Sequence, residues 1–248
     1  MVPWDELMLA DDKAALWFLG QAGYYMKAAR KTVIIDPYLS DSVGRTAPLF
    51  ARAYPVPVDP ALIKADIFIV THDHMDHLDP ETIDAYQYKD TSEFIAPRHA
   101  AKKLKSLGVK NINVVDHGDS VKIKGVKING VFALATGPDC LDTCGYSIAF
   151  ENGKTVYHTS DTAFCNLLLK AAPKVDVLLP CINGKWGNLH IPDAVELTLA
   201  VGPRYVIPNH YDVMTLNSEN PESFRYFLNE RKTEAECVIL QPMESFIW

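Results

Sequence analysis

Thr71-His72-Asp73-His74-Met75-Asp76-His77 places three imidazoles and two carboxylates in the six residues from His72 onward. The whole chain holds only eight histidines in 248 residues, so this density is not background. In an extended stretch His72 and His74 project the same way, while Asp76 and His77 can close on a neighbouring point. Two adjacent cation sites are therefore feasible. Imidazole and carboxylate donors suit zinc, manganese or iron, and the lack of a thiolate within the run argues against a closed, purely structural zinc site. One or two divalent cations per chain, with an open position for water, are the expectation.

The surroundings of the run set its place in a fold. Ile67-Phe68-Ile69-Val70 reads as a buried strand leading into it. Asp79-Pro80-Glu81-Thr82 offers an N-cap followed by proline at the first helical position, so a helix is predicted to about Tyr88. The histidines thus sit on a strand-to-helix loop. Upstream, Ala15–Leu19, Tyr24–Met26 and Thr32–Pro37 are short apolar runs separated by turn signals and read as antiparallel strands. The proline-rich stretch Ala47 to Pro60 is too broken for regular structure and reads as a loop over a site. Downstream, strand Phe94–Ala96, helix Arg98–Leu107 and strand Ile112–Val115 precede β runs at Ser120–Ile123, Val126–Ala135 and Tyr146–Phe150. Asn152-Gly153 then turns the last of these into Thr155–His158. The remainder alternates helix and strand: Asn166–Ala171, Val175–Leu179, Pro192–Val201, Tyr205–Ile207, Pro221–Arg231 and Cys237–Leu240. Antiparallel ribbons followed by βα alternation in each half imply two sheets covered by helices on both outer faces, a four-layer αββα sandwich.

Composition narrows the function classes. At 48% hydrophobic the chain can bury a sizeable core, and residues 1–248 read as a single domain. A net charge of -7 with scattered basic residues disfavours nucleic acid as a partner, leaving a small-molecule substrate. The early stretch Val2-Pro3-Trp4-Asp5-Glu6 carries acids where a secretory signal carries bases, and no apolar run is long enough to span a bilayer. A soluble cytoplasmic protein with no membrane association is expected. The five cysteines then read as reduced thiols, with Cys140 and Cys144 read as buried structural thiols despite their C-x3-C spacing. The apolar segments Leu7–Leu9 and Phe246–Trp248 serve either a homo-oligomer interface or the capping of the core.

Two remote segments look like further ligands. Tyr157-His158-Thr159-Ser160-Asp161-Thr162 places an acid just past a strand end, and Val206-Ile207-Pro208-Asn209-His210-Tyr211-Asp212 places a histidine just past another. Either alone reads as an ordinary turn; beside the dense run they read as ligands Asp161 and His210.

Thr71 to His77 matches the HxHxDH signature of the metallo-β-lactamase superfamily, Ser160-Asp161 resembles its bridging aspartate, and Pro208-Asn209-His210 resembles its last ligand histidine. Within that superfamily, Trp17–Gly23, the HxHxDH run, Tyr157–Asp161, Val206–Asp212 and Ser245–Trp248 are similar to stretches of the L-ascorbate-6-phosphate lactonase (UlaG-like) group. The resemblance implies His72 and His74 on a first metal, His77 and His210 on a second, Asp161 between them, and Asp76 both as a ligand and as the residue that orients a coordinated water and shuttles its proton. Asp36, in Ile34-Ile35-Asp36-Pro37, resembles a buried aspartate that orients the metal loop. The family's third histidine on the first metal is missing: its place falls near Phe132-Ala133-Leu134-Ala135-Thr136-Gly137, and no histidine occurs between His117 and His158. Either the first site is weaker, giving a mononuclear enzyme or a second metal acquired only with substrate, or Asp139 or Cys140 in the following loop substitutes.

Substrate contacts are expected from His158, Asn183, Lys185, His190 and Tyr211, each with an ordinary structural reading beside it: strand-end histidine, loop residue or solvated lysine. His99 and His117 lack acidic neighbours in sequence and read as surface residues. The implied reaction is metal-dependent hydrolysis of a lactone or related cyclic ester of a small, optionally phosphorylated sugar acid, by coordinated hydroxide. The rivals are a phosphodiesterase acting on a small or cyclic phosphodiester and a non-catalytic metal-binding sensor.

Overall fold

The computed structural model describes residues 2–137 and 139–248. After a short helix α1 (Pro3–Glu6), strands β1 (Ala14–Gly20), β2 (Gly23–Ala28) and β3 (Lys31–Ile35) form an antiparallel meander. Helix α2 (Ser42–Thr46) precedes β4 (Ile67–Ile69), α3 (Pro80–Ala85), β5 (Glu93–Ala96), α4 (Arg98–Ser106) and β6 (Ile112–Val114), and from β3 onward neighbouring strands are parallel. The second half repeats the scheme. An antiparallel meander of β7 (Ser120–Ile123), β8 (Val126–Phe132), β9 (Cys144–Ala149) and β10 (Thr155–His158) passes into parallel strands through α5 (Asn166–Ala171), β11 (Val177–Leu179), α6 (Ile191–Val201), β12 (Tyr205–Val206), α7 (Pro221–Glu230) and β13 (Glu236–Cys237). The last strand, β14 (Ser245–Ile247), returns to the first sheet beside β1. Two seven-stranded sheets result, in the orders β14-β1-β2-β3-β4-β5-β6 and β13-β12-β11-β10-β9-β8-β7.

Strand periodicity sorts the side chains into layers. Leu16 and Phe18 of β1 join the core between the sheets, together with Tyr24, Met26, Ile128, Tyr146 and Ile148. Their neighbours Ala15, Trp17 and Leu19 face the other way, into a second cluster with Ile83 of α3 and Ala100 and Leu104 of α4. Every residue of β1 is buried, as expected for a strand covered on both faces. The αββα sandwich predicted from the alternation is the fold observed.

Boundaries differ where capping or packing overrides the pattern. Asp79 does cap α3, its carboxylate accepting from Glu81 N at 3.1 Å and from Thr82 Oγ1 at 2.5 Å, but the helix ends at Ala85 rather than Tyr88. Tyr86 turns inward instead, and its hydroxyl meets Ser92 at 2.6 Å. Strand β8 ends at Phe132, three residues before the expected Ala135, because the chain leaves the sheet to build the wall of a cleft. The proline-rich stretch is mostly irregular, as expected, with 3-10 turns at Pro48–Phe50 and Pro60–Leu62. The strand pattern does not register β14: Ser245-Phe246-Ile247, three residues before Trp248, carry too little periodicity.

The loops leaving β3 and β4, neighbours in the first sheet, and β10 and β12, either side of β11 in the second, hold Asp36, the His72–His77 run, Asp161 and His210. The crevice beyond strand carboxyl ends is where open α/β sheets place ligands.

Trp248 secures the closing strand. It is 5% exposed, and its backbone exchanges two hydrogen bonds with Ala14, at 3.0 and 3.1 Å. Trp248→Ala is expected to lower unfolding free energy by about 3–5 kcal/mol, the usual cost of emptying a tryptophan site. Urea unfolding at fixed metal concentration measures it; a loss below about 1 kcal/mol would mean that β14 is dispensable to the sheet.

Candidate metal centre

Asp36 organises the loop. Fully buried at the end of β3, its carboxylate accepts from Thr71 N at 2.8 Å and from Thr71 Oγ1 at 2.5 Å. It also accepts from His77 Nδ1 at 2.7 Å. His77 Nδ1–H is thereby committed to Asp36, which turns Nε2 inward, and that nitrogen is buried with no hydrogen-bond partner. His72 is held in a similar way: its Nδ1 lies 3.0 Å from Thr71 Oγ1, whose own proton goes to Asp36. His72 Nε2 consequently faces His74 Nδ1 at 3.0 Å.

From the second half, Asp161 brings Oδ1 to 3.4 Å from His77 Nε2 and 3.3 Å from His210 Nε2, while Oδ2 accepts from Asn188 Nδ2 at 2.7 Å. Asp161 Oδ1, like His77 Nε2, is buried without a hydrogen-bond partner. Asp76 Oδ2 lies 3.6 Å from His210 Nε2 and 3.8 Å from His77 Nε2 and accepts from Gln21 Nε2 at 2.8 Å. Three sets of donors fall within 4.8 Å of one another: His72, His77 and Asp161; Asp76, His77 and His210; and His72, His74 and Cys140. Orphaned donors at the meeting point of these sets are what a cation would satisfy, and the imidazole and carboxylate chemistry fits zinc, manganese or iron. The first cation would be held around His72 and His74, the second by Asp76, His77 and His210, with Asp161 between them.

The backbone is bent to bring these groups together. Gln21, Asp36, Ser160 and His210 all adopt left-handed conformations, with φ of 54°, 44°, 62° and 69°. Non-glycine residues enter this region at a cost of about 1–3 kcal/mol each, and such residues concentrate at functional sites. Main-chain bonds hold the geometry: His210 N donates to Gln21 O at 2.7 Å, and Cys144 N to Thr71 O at 3.0 Å.

The expected substrate contacts are mostly elsewhere. His158 is buried with both nitrogens committed to main chain, Nε2 toward Ala22 O at 2.9 Å and Nδ1 accepting from Ser160 N at 3.1 Å, so it braces the loop that carries Asp161. Tyr211 is likewise structural, its hydroxyl donating to Leu240 O at 2.6 Å. Asn183 is buried behind the cleft, donating to Asn217 at 2.7 Å. Lys185 is exposed, and His190, the N-cap of α6, is exposed too; neither lines the cleft. Residue type near a strand end, which is what marks these five in the sequence, does not reveal which polar atoms the backbone already uses. His99 also departs from expectation: it pairs with Asp73 Oδ2 at 3.0 Å, turning that acid of the run away from the metal donors. Sequence reading passes over Gln21, Asn188 and the apolar wall, whereas Cys140, named there as a stand-in for the missing histidine, does lie beside His72 and His74. Asn188 lies in the same loop as Asn183, Lys185 and His190, but nothing in an amide's own sequence context distinguishes a carboxylate's partner from a loop residue.

The cleft over the donors has a volume of about 540 Å³. Val43, Phe50, Trp186 and Met214 supply apolar walls, while Asp76 and Asp161 reach its floor. Phe50 and Trp186 meet at 5.9 Å between ring centroids, closing one side. Among the described residues that line it there is no lysine or arginine. No helix among the described residues is long and apolar enough to cross a membrane.

Residues 31–211 match the model of a β-lactamase superfamily domain. The chain is 31% identical over 237 residues to a UPF0173 metal-dependent hydrolase of Pyrococcus furiosus, an alignment covering 92% of this chain and 96% of that protein. A UPF0173 metal-dependent hydrolase of Methanosarcina barkeri is 29% identical over 240 residues, with the same coverage. Among solved structures, a metallo hydrolase of the archaeon Ignicoccus hospitalis superposes with a TM-score of 0.76 at 21% identity, covering 95% of this chain and 98% of that one.

With no cation bound, burial favours neutral imidazoles at His77 and His210, but the carboxylates of Asp161 and Asp76 outweigh it and raise both above the usual histidine range. Burial likewise opposes ionisation of Asp161 and Asp76, and the same two histidines reverse it, holding both carboxyls low. Raised histidines stabilise the metal-free fold below about pH 6.5 and lose that contribution as pH climbs through their folded values. The lowered carboxyls stabilise it above about pH 4 and fail as pH falls through theirs. A cation must displace the protons on His77 and His210, so zinc affinity should strengthen from pH 6 to pH 8, by up to about tenfold per pH unit per displaced proton. Competition titration against a chelator reads this directly, and an affinity flat across the range would show that the two histidines carry no such protons.

Proposed function

Because the chain belongs to the β-lactamase superfamily and is a metal-dependent hydrolase of that superfamily, we propose that its reaction is the hydrolysis of a small, uncharged lactone or related cyclic ester. The observation that carries this reading is the cleft: apolar walls over a floor of carboxylates and imidazoles, with no cationic side chain among its described lining residues. A phosphorylated sugar acid, which the lactonase resemblance allows, would find no lysine or arginine among the described lining residues to receive a phosphate held away from the metal floor. A neutral ring closed by an ester fits walls of Val43, Phe50, Trp186 and Met214 and presents one polar edge to the floor.

Divalent cations bound there supply Lewis acidity toward a carbonyl and lower the pKa of water, to about 7 in zinc sites. The protein's own groups do the rest. Asp76 is held by Gln21 at 2.8 Å, and its carboxylate faces the cleft. It can accept the proton of the attacking water and return it to the alkoxide when the ring C–O bond breaks, giving a hydroxy acid. Asn188 fixes Asp161 through Oδ2, leaving Oδ1 toward His77 and His210. The walls exclude bulk water and hold the ester within reach of the floor.

The test is a panel of neutral γ- and δ-lactones, phosphorylated sugar lactones and phosphodiesters, offered to chelator-treated protein after return of zinc, manganese or iron. Metal-restored turnover of the neutral lactones is expected, falling by about 10²–10⁴-fold in kcat for Asp76→Asn with KM little changed. Cleavage of phosphodiesters in preference to lactones would replace this reading with the phosphodiesterase one. Bound metal without turnover of any arm would favour a sensor.

A further inference from the structure

The first metal position lacks the histidine that the superfamily resemblance leads one to expect, yet a third donor is present. His72, His74 and Cys140 lie with their donor atoms within 4.8 Å of one another. For a tetrahedral ion with ligands at about 2.0–2.3 Å, donors sit roughly 3.3–3.8 Å apart, so small shifts would close the set. Cys140 comes from the loop between β8 and β9, the segment in which the missing histidine is expected. That loop is tied to the metal run on its far side: Thr143 bridges His72, Cys144 N donates to Thr71 O at 3.0 Å, and Asp142 accepts from His99 N at 2.6 Å. Main-chain pairing thus delivers the cysteine to the histidines. Cys140 is 7% exposed, and its sulfur makes one hydrogen bond, to Asp142 O at 3.3 Å. On the other side His74 Nε2 is buried and unpartnered, with Asp139 no nearer than 3.6 Å. Of the five cysteines, only Cys140 joins a group of histidine donors.

We propose that Cys140 is the third protein ligand of the first cation, a thiolate standing where relatives of the superfamily use an imidazole. This rests on the metal-dependent reading above. On binding, the sulfur–metal bond forms as the thiol gives its proton to solvent, with no change of oxidation state. A thiolate is softer than an imidazole, so the first site selects zinc over manganese, which oxygen donors suit better. The chain consequently pairs a sulfur-bearing position with a second, wholly nitrogen- and oxygen-donating one.

Zinc X-ray absorption on the intact protein, loaded with two equivalents of zinc after chelation, tests the assignment without a mutation. A sulfur shell at about 2.3 Å is expected, averaging one sulfur per two zinc ions. The shell should vanish in Cys140→Ser, persist in Cys144→Ser and Cys181→Ser, and vanish in Cys140→His while that variant still binds two ions. The cobalt-loaded protein should show a thiolate-to-cobalt charge-transfer band with the same dependence. Two bound zinc ions with only nitrogen and oxygen around them in the unmodified protein would overturn the proposal, as would a sulfur shell that survives Cys140→Ser. Such results would leave the hydrolase reading intact, whereas a protein that binds no metal would overturn both. Lactone turnover, present or absent, does not alter the sulfur readout.

Discussion

One buried carboxylate carries the centre. Asp36 is 0% exposed and receives three hydrogen bonds, from the amide and hydroxyl of Thr71 and the ring of His77. An isolated buried anion would cost several kcal/mol, and each donor that offsets this is thereby locked in orientation. The effect spreads outward: Thr71, having given its proton to Asp36, becomes an acceptor for His72, and His77, pinned at Nδ1, presents Nε2 to Asp161. The order of the metal loop follows from that single desolvated charge. The left-handed φ of 44° at Asp36 itself belongs to the same arrangement, since an extended residue there would continue β3 rather than turn its carboxylate beneath the loop.

The two halves of the chain contribute unequally in kind. The first supplies the dense run, the second the single residues Asp161 and His210, and neither half holds a complete donor set around the second position. Cation binding therefore joins the sheets across their shared core, adding to a contact already made by Phe18, Tyr24, Tyr146 and Tyr157. The unpartnered nitrogens and oxygens at the seam offset part of that benefit in the metal-free state, because buried polar atoms without partners destabilise the fold that contains them.

How much was legible in the sequence depended on whether a residue announced itself by pattern or by partnership. Strand alternation at β1–β3 and the Asp79-Pro80 cap are local signals, and the sandwich could be read from them. The run from His72 to His77 is legible for the same reason: its meaning lies in adjacency. Asp161 and His210 read as ligands only beside that run, since each alone is an ordinary turn; the superfamily resemblance adds which position each would serve. His158 and Tyr211 misled because a polar residue near a site resembles a contact until its hydrogen bonds are counted, and theirs go to Ala22, Ser160 and Leu240. Gln21 and Asn188 were invisible for the opposite reason: each acts on a carboxylate far away in sequence, and no periodicity records such a pairing.

The return of the last strand to the first has a consequence for how the molecule is made. Until β14 emerges, β1 presents a long apolar strand with an unpaired edge. During synthesis the N-terminal sheet must therefore wait, nearly complete, while the entire second half is translated and folded. Sequence-distant closures of this kind are slow and leave intermediates prone to edge-to-edge association. Until β14 covers it, β1 is the edge at which an incomplete sheet would pair with another chain.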